Sequence, residues 1–304
     1  MIMSEPQTFT VLRGTLSRSV SLARYTSWRC GGAGDRLYIP ADRDDLAAFI
    51  RQLPPGEPLT VIGLGSNLLV RDGGVRGTIV VLHAALVTLE LADGLIHAEA
   101  GVTSPKVARF AATHGLAGAE FLAGIPGTIG GALAMNAGCY GGETWRYVVR
   151  VEVVTRGGAV TVEPAARYAT GYRTVRRADG SPPDAVFTAA WFSFPRGDGR
   201  VARERIAELL RRRIATQPLN LPNAGSVFRN PPGDHAARLI ESCGLKGYAI
   251  GGARVSEKHA NFIVNPDGAA RAADIEAIIA HVRSTVRERT GVDLVPEVQI
   301  IGDA

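Results

Sequence analysis

Among the residues able to do chemistry, Glu297 stands out because its neighbours are apolar. It lies in DLVPEVQIIG (293–302), which reads as a strand, on the face shared by Val295 and Ile301. Burial of that kind raises a carboxylate's pKa unless a cation pairs with it, and such groups are frequent at functional sites. Two glycine clusters offer a different capacity. In VIGLGSNLLVRD (61–72), Gly63, Gly65, Ser66 and Asn67 can present backbone N–H groups and short polar side chains to an anion. In GIPGTIGGALAMNAGCYG (124–141), Gly127-Thr128 precedes an apolar pattern and predicts a helix whose first N–H groups face a phosphate. That run carries no charged side chain between Glu120 and Glu143. Two such loops could hold a pyrophosphate between them, and their small uncharged walls would admit a flat ring. Either loop alone is equally compatible with tight turns and close packing.

Familiar nucleotide fingerprints do not account for these loops. Gly63 and Gly65 give G-x-G, but Leu68 takes the third glycine position and no clear helix follows, so the Rossmann pattern fails. No G-K-[ST] occurs, which removes the P-loop.

The elements that must position these residues mix strands and helices. DRLYIP, LTVIG and TIVVL read as strands, and ADRDDLAAFIRQL as a helix capped by Asp42 with Leu46, Phe49, Ile50 and Leu53 on one face. Asp93-Gly94 and Gly157-Gly158 mark hairpins. TSPKVARFAATHG predicts a helix with Ser104 as cap, Pro105 at its first position and Gly115 beyond its end. A long helix over 201–218 is stopped by Pro218, and Arg211-Arg212-Arg213 at its end reads as a solvated cluster offsetting the helix dipole. Two further amphipathic helices, in DHAARLIESCG and AADIEAIIAHVRSTVRERTG, flank a short strand in NFIVNPDG. Without a steady βαβ rhythm, the expected class is α+β.

Composition narrows the function. The chain has 304 residues, 46% of them hydrophobic, and a formal charge of +5. That length suits two or three units. Glu5 and Pro6 interrupt any signal peptide, and no apolar run is long enough to span a membrane. Cys30, Cys139 and Cys243 are odd in number and never in C-x-x-C, so neither disulfides nor a zinc site are expected and the reducing cytoplasm is. The six histidines lack i, i+4 pairing, which leaves a metal centre without support. Basic residues are not interleaved with aromatics, so nucleic acid is not the expected partner.

Six segments in order, VIGLGSNLLVRD, GLAGAEFLAGIPGTIGGALAMNAGCYG, AGSVFRNP, LIESCGLKG, GGARVSEKHANFIVN and PEVQIIG, resemble the UDP-N-acetylenolpyruvoylglucosamine reductase family, from about Thr26 to Gly302. The resemblance implies an FAD-binding fold of the vanillyl-alcohol-oxidase type in two subdomains, residues 1–85 (rejoined by the C-terminal strand 293–304) and 86–212, with a substrate-binding domain at 213–292. It implies non-covalent FAD, NADPH as electron donor and reduction of the enolpyruvyl double bond of UDP-N-acetylglucosamine enolpyruvate, giving UDP-N-acetylmuramate for peptidoglycan. A cytoplasmic monomer is expected. The short run from Arg173 to Val186 resembles the subtype lacking a longer substrate-covering insertion.

The same resemblance assigns residues. FAD would be held by Gly63, Leu64, Gly65, Ser66, Asn67 and Leu68, and by Gly124, Ile125, Pro126, Gly127, Thr128, Gly130, Gly131, Asn136, Ala137 and Gly138. Ser226 matches the proton donor, Arg173 the active-site arginine and Glu297 the catalytic glutamate; unaided, Ser226 reads as a turn hydroxyl and Arg173 as a surface charge. Tyr172, Asn230, Lys258 and His259 match substrate-lining positions. The chain departs from the pattern at Val175, Gln299 and Tyr25, putting one polar contact, one charge contact and a loop in doubt. Two alternatives stay open: another FAD oxidoreductase on the same fold, and a non-catalytic flavin- or nucleotide-sugar-binding protein.

Overall fold

The computed structural model describes residues 11–304, so the expectation drawn from Glu5 and Pro6 lies outside the described residues. The chain begins with β1 (Thr15–Ser21), β2 (Ala33–Ile39), α1 (Arg43–Arg51), β3 (Leu59–Ile62), β4 (Leu68–Val70) and β5 (Val75–Val81). Four of these strands form a mixed sheet in the order β1-β2-β5-β3, with β1 antiparallel and the other pairs parallel. As the sequence predicts, Asp42 caps α1, accepting from the Asp45 N–H at 2.9 Å. The helix lays Leu46, Phe49 and Ile50 on Tyr38 and Val80 of the sheet, with Tyr38 and Phe49 stacked at 3.8 Å. The other face, with Leu37, Ile79 and Val81, packs on Leu22 and Val70.

Next come β6 (Leu89–Ala92), β7 (Leu95–Glu99), α2 (Ser104–Thr113), α3 (Ile129–Ala134), β8 (Gly138–Cys139), β9 (Gly142–Glu143), β10 (Val148–Thr155), β11 (Val160–Pro164), β12 (Tyr168–Gly171), β13 (Thr174–Arg177), β14 (Ala185–Phe192) and α4 (Gly199–Thr216). An antiparallel sheet runs β11-β10-β14-β7-β6. The turn from β6 to β7 holds Asp93 and Gly94 at φ +52° and +77°, the twist a two-residue hairpin needs. Helices α2, α3 and α4 cover one face, packing Val107, Leu133 and Ile206 onto Val151, Val153 and Phe192. One expectation shifts by a residue. Thr103 is the N-cap of α2, and Ser104 is the first helical residue, fully buried.

The last stretch holds α5 (Ala236–Ser242), β15 (Ala249–Ile250), β16 (Ala253–Val255), β17 (Ile263–Val264), α6 (Ala272–Thr290) and β18 (Gln299–Ile301). The small antiparallel sheet β15-β16-β17 is covered by α6 through Ile275, Ile278, Ile279 and Val282. The chain then returns to its beginning, because β18 pairs in parallel with β4 at Gln299↔Leu68, Ile300↔Leu69 and Ile301↔Val70. The expected strand over 293–302 is therefore only three residues long. Pro296 has no N–H to give a ladder and breaks the alternation. Val295 is exposed while Glu297 and Val298 are both buried, so Glu297 does not share a face with Val295. The class is α+β, as expected.

Candidate functional site

A cavity of about 540 Å³ is lined by residues from the early, middle and late stretches of the chain, Thr60 to Leu68, Gly124 to Gln217 and Ala224 to Ile301. Both glycine clusters line it. From the first come Gly63, Leu64, Gly65, Ser66, Asn67 and Leu68; from the second, Gly124, Ile125, Pro126, Gly127, Thr128, Gly131, Ala137 and Gly138. The clusters touch: a Cβ on Gly63 would lie 2.4 Å from Thr128 Oγ1. A smaller cavity of about 230 Å³ adjoins it, sharing Val61, Ile62, Gly63, Thr128, Gly131 and Ala134 and adding Gly130.

The first loop is built from its own residues. Gly65 sits at φ +61° against the backbone of Tyr25, where a Cβ would meet the Tyr25 carbonyl at 2.0 Å. Its carbonyl accepts from the Ser27 N–H and hydroxyl, both at 3.2 Å. Leu64 and Ser66 make no hydrogen bond to any described residue, so their N–H groups stand free at the cavity wall. The second loop departs from expectation. Thr128 does start a helix, α3, but the Ile129 and Gly130 N–H groups donate to the carbonyls of Val102 and Ala100 at 2.8 and 2.9 Å. These two donors are spent on protein and cannot face a phosphate.

The cavity fits the expected dinucleotide at the remaining points. A Cβ on Gly131 would meet only Thr128 Oγ1, at 3.9 Å, so a side chain there would project into the space the two cavities share. The unpaired N–H groups at Leu64 and Ser66 are of the kind that can supply an anion-binding concavity.

At the other end, Tyr172 and Arg173 form the two-residue turn joining β12 to β13, with Arg173 at φ +52°. Both reach Glu297. Arg173 Nε donates to Oε1 at 2.7 Å and the Tyr172 hydroxyl to Oε2 at 2.8 Å. Burial, then the bond to Glu297, pushes the Tyr172 phenol's pKa up. The Tyr172 ring carries two guanidinium groups, Arg173 at 5.5 Å and Arg229 at 5.6 Å. Glu297 is held from behind too: its N–H donates to the Val227 carbonyl at 2.7 Å, and its carbonyl accepts from Asn67 Nδ2 at 3.2 Å. The carboxylate is therefore buried but paired.

Ser226 lies on the segment that holds Glu297. Asn261 clamps that segment, accepting the Phe228 N–H at 2.9 Å and donating to the Phe228 carbonyl at 2.8 Å. Gly225, at φ +77°, takes the Asn223 side chain onto its N–H at 2.9 Å and turns the chain so that Ser226 lines the cavity. Asn230 lines it as well, while its Oδ1 accepts the Ala236 N–H at the start of α5 at 3.0 Å.

Three assigned residues stand outside both cavities. Asn136 is buried, with its amide donating to Glu143 at 3.0 Å and to the Gly171 carbonyl at 3.1 Å. His259 packs edge-on against Phe262 at 4.8 Å, and burial lowers its pKa. Lys258 is exposed and donates to the Ile214 carbonyl at 2.6 Å. Of the lining residues absent from the expectation, the one that carries a charge is Arg213. Arg211 and Arg212 are exposed as predicted, but Arg213 continues the buried stripe Ala202, Ile206, Leu209 at helical spacing. That spacing was the available signal.

Comparison with known proteins agrees with this geometry. The model of the UDP-N-acetylenolpyruvoylglucosamine reductase C-terminal domain matches residues 217–301, and that of an FAD binding domain matches 35–162. The chain is 58% identical to the UDP-N-acetylenolpyruvoylglucosamine reductase of Nitrosospira multiformis, covering 96% of this chain and 90% of that one. It is 54% identical to the enzyme of the same name from Thiobacillus denitrificans, covering 96% and 94%. The crystal structure of that reductase from Thermus caldophilus superposes with a TM-score of 0.80 at 34% identity, over 95% of this chain and 99% of that one. With the glycine loops, Ser226, Arg173 and Glu297 gathered around one cavity, the chain belongs to the UDP-N-acetylenolpyruvoylglucosamine reductase family.

Proposed function

We propose that the chain is an FAD-containing, NADPH-dependent oxidoreductase that reduces the enolpyruvyl double bond of UDP-N-acetylglucosamine enolpyruvate to give UDP-N-acetylmuramate, a peptidoglycan precursor. The observation that carries this is the convergence of Ser226 and the Arg173–Glu297 pair on the cavity lined by both glycine clusters. FAD, when bound, supplies the hydride relay between NADPH and the enolpyruvyl group.

The protein's own residues supply the rest. Gly63 to Leu68 and Gly124 to Thr128, with Gly131, Ala137 and Gly138, hold the cofactor. Arg173 spends Nε on Glu297, and its remaining fork binds the substrate carboxylate and stabilises charge developing beside it. Glu297 fixes that guanidinium in place, and Tyr172 fixes Glu297. Ser226 delivers a proton to substrate carbon; serine is a weak acid, so the adjacent cationic field must support its alkoxide. Asn230 contacts substrate from the same wall. NADPH and the nucleotide sugar take turns in this cavity.

Of the four hydrophobic cores, one within 22–81, one within 96–206 and one drawn mainly from 224–298 support a division into two cofactor subdomains and a substrate domain, with β18 returning to the first. The fourth joins the two cofactor subdomains through Tyr38, Val80, Val154 and Val186. A cytoplasmic location and a monomeric state belong to the same proposal; among the described residues no helix is long and apolar enough to cross a membrane. The test is anaerobic. NADPH should bleach the yellow purified protein, and the enolpyruvyl nucleotide should restore the colour. A protein that takes up no FAD, or stays bleached, refutes the assignment.

A further inference from the structure

Three charged side chains line the larger cavity: Arg173, Arg213 and Glu297. Arg173 and Glu297 neutralise each other at 2.7 Å, which leaves Arg213 as an uncompensated cation. Its guanidinium donates from Nε to Gln217 Oε1 at 2.9 Å, and no described residue accepts from its Nη atoms. No carboxylate stands among its charge neighbours, which are the Cys139 thiol and the Tyr140 phenol. Burial accordingly presses its pKa down. A cation serving only the helix dipole has no reason to leave water, and Arg211 and Arg212 on the same turn remain in it. Holding Arg213 against the cavity costs free energy that an incoming anion would return.

We infer that Arg213 binds a phosphate group of a nucleotide that enters and leaves the cavity during turnover. Its planar fork matches phosphate bidentately. The resident cofactor has a separate anion site in the free N–H groups of Leu64 and Ser66. Arg213 also lies close to the reacting centre: Arg173 Nη2 reaches the Gly138 carbonyl at 3.5 Å, and the next residue, Cys139, feels both guanidinium groups. A phosphate on Arg213 would thus anchor a nucleotide beside the Arg173–Glu297 pair. The inference rests on the reading above, in which two nucleotides alternate; the phosphate is either the diphosphate of the nucleotide sugar or the 2′-phosphate of NADPH.

The experiment uses FAD-loaded wild type, Arg213→Gln and Arg213→Lys. UDP is titrated calorimetrically into the oxidised proteins, and reduction by NADPH and by NADH is followed by stopped flow. Arg213→Gln should keep its FAD and lose about 10- to 100-fold in one of the two measurements, the span of one charged phosphate contact. Arg213→Lys, which keeps the charge and provides a second folded variant, should lose less. A loss confined to UDP assigns the diphosphate; a loss confined to the NADPH preference over NADH assigns the 2′-phosphate. Unchanged UDP affinity and unchanged NADPH preference overturn the inference. Release of FAD overturns it too, because the charge would then serve the resident cofactor. A wild type that neither binds UDP nor oxidises NADPH counts instead against the reductase reading, so the two failures are separable.

Discussion

The Ser226 hydroxyl lines the cavity without a hydrogen bond to any described residue, so its removal breaks no described hydrogen bond. Ser226→Ala should retain FAD and be reduced by NADPH at near the normal rate. Its reaction with the enolpyruvyl nucleotide should slow by about 10² to 10⁴, the cost of losing a positioned acid. Stopped-flow absorbance separates the two steps: equal slowing of both would mean a disturbed flavin site, and an undiminished reaction with the nucleotide would move the proton donor elsewhere. Glu297 poses a different contrast. Removing one partner of a sealed ion pair costs about 3–5 kcal/mol, but Arg173 borders the cavity and can be rehydrated. Glu297→Gln should therefore cost less than about 2 kcal/mol in urea unfolding while lowering turnover about 100-fold or more. A large stability loss with turnover intact would make the pair structural. The desolvated setting of Glu297 was legible from its apolar neighbours, although the alternation used to argue it was interrupted by Pro296. Its cation was not legible, since Arg173 is 124 positions away in sequence. Arg213 was misread because a run of three arginines hides which one falls on the buried stripe.

Short elements with strong local signals were the readable ones, and two of them carry tests. Asp42 accepts the Asp45 N–H and then the Arg13 guanidinium, which together hold its pKa below the usual carboxylate value. A carboxylate depressed in the folded state stabilises fully above its unfolded pKa of about 3.9, and that contribution fades as pH falls through the folded value. Asp42→Ala should cost about 1 kcal/mol at pH 7, the usual worth of an N-cap. The gap to wild type should narrow below about pH 4, as thermal unfolding across pH would show; a constant gap would remove the charge from the cap's role. In α3, Gly131→Leu should act in opposite directions on two observables. The apoprotein should gain up to about 1 kcal/mol from helix propensity, while FAD uptake, read by released flavin, should fall sharply because the side chain fills the cofactor's space. Undiminished uptake would place the cofactor elsewhere. The sequence pointed to this helix but not to the fate of its first donors, because the carbonyls of Val102 and Ala100 that accept them belong to a distant loop. The β12–β13 hairpin escaped notice for a related reason. Its turn residues are Tyr172 and Arg173, neither a usual turn former, and Arg173 takes φ +52° in reaching Glu297.

Across the whole molecule, the ends of the chain are tied together by contacts no local pattern announces. Trp28 Nε1 donates to the Ile263 carbonyl at 2.7 Å, and Asn265 Nδ2 to the Trp28 carbonyl at 2.8 Å. The pairing of β18 with β4 spans a comparable stretch. Contacts of such sequence separation form slowly, because loop closure must precede any gain from them. After dilution from denaturant in the presence of FAD, far-UV circular dichroism should recover before NADPH-driven turnover; simultaneous recovery would make closure an early step. The β18–β4 pairing has a further consequence for a chain emerging from the ribosome. Both glycine loops and Arg173 are translated well before Glu297, so the N-terminal part can assemble a cofactor wall while the carboxylate that orients Arg173 is still unsynthesised. β18, which leaves the ribosome after the other described strands, acts as a latch, and a nascent chain awaiting it holds Arg173 without its counter-ion.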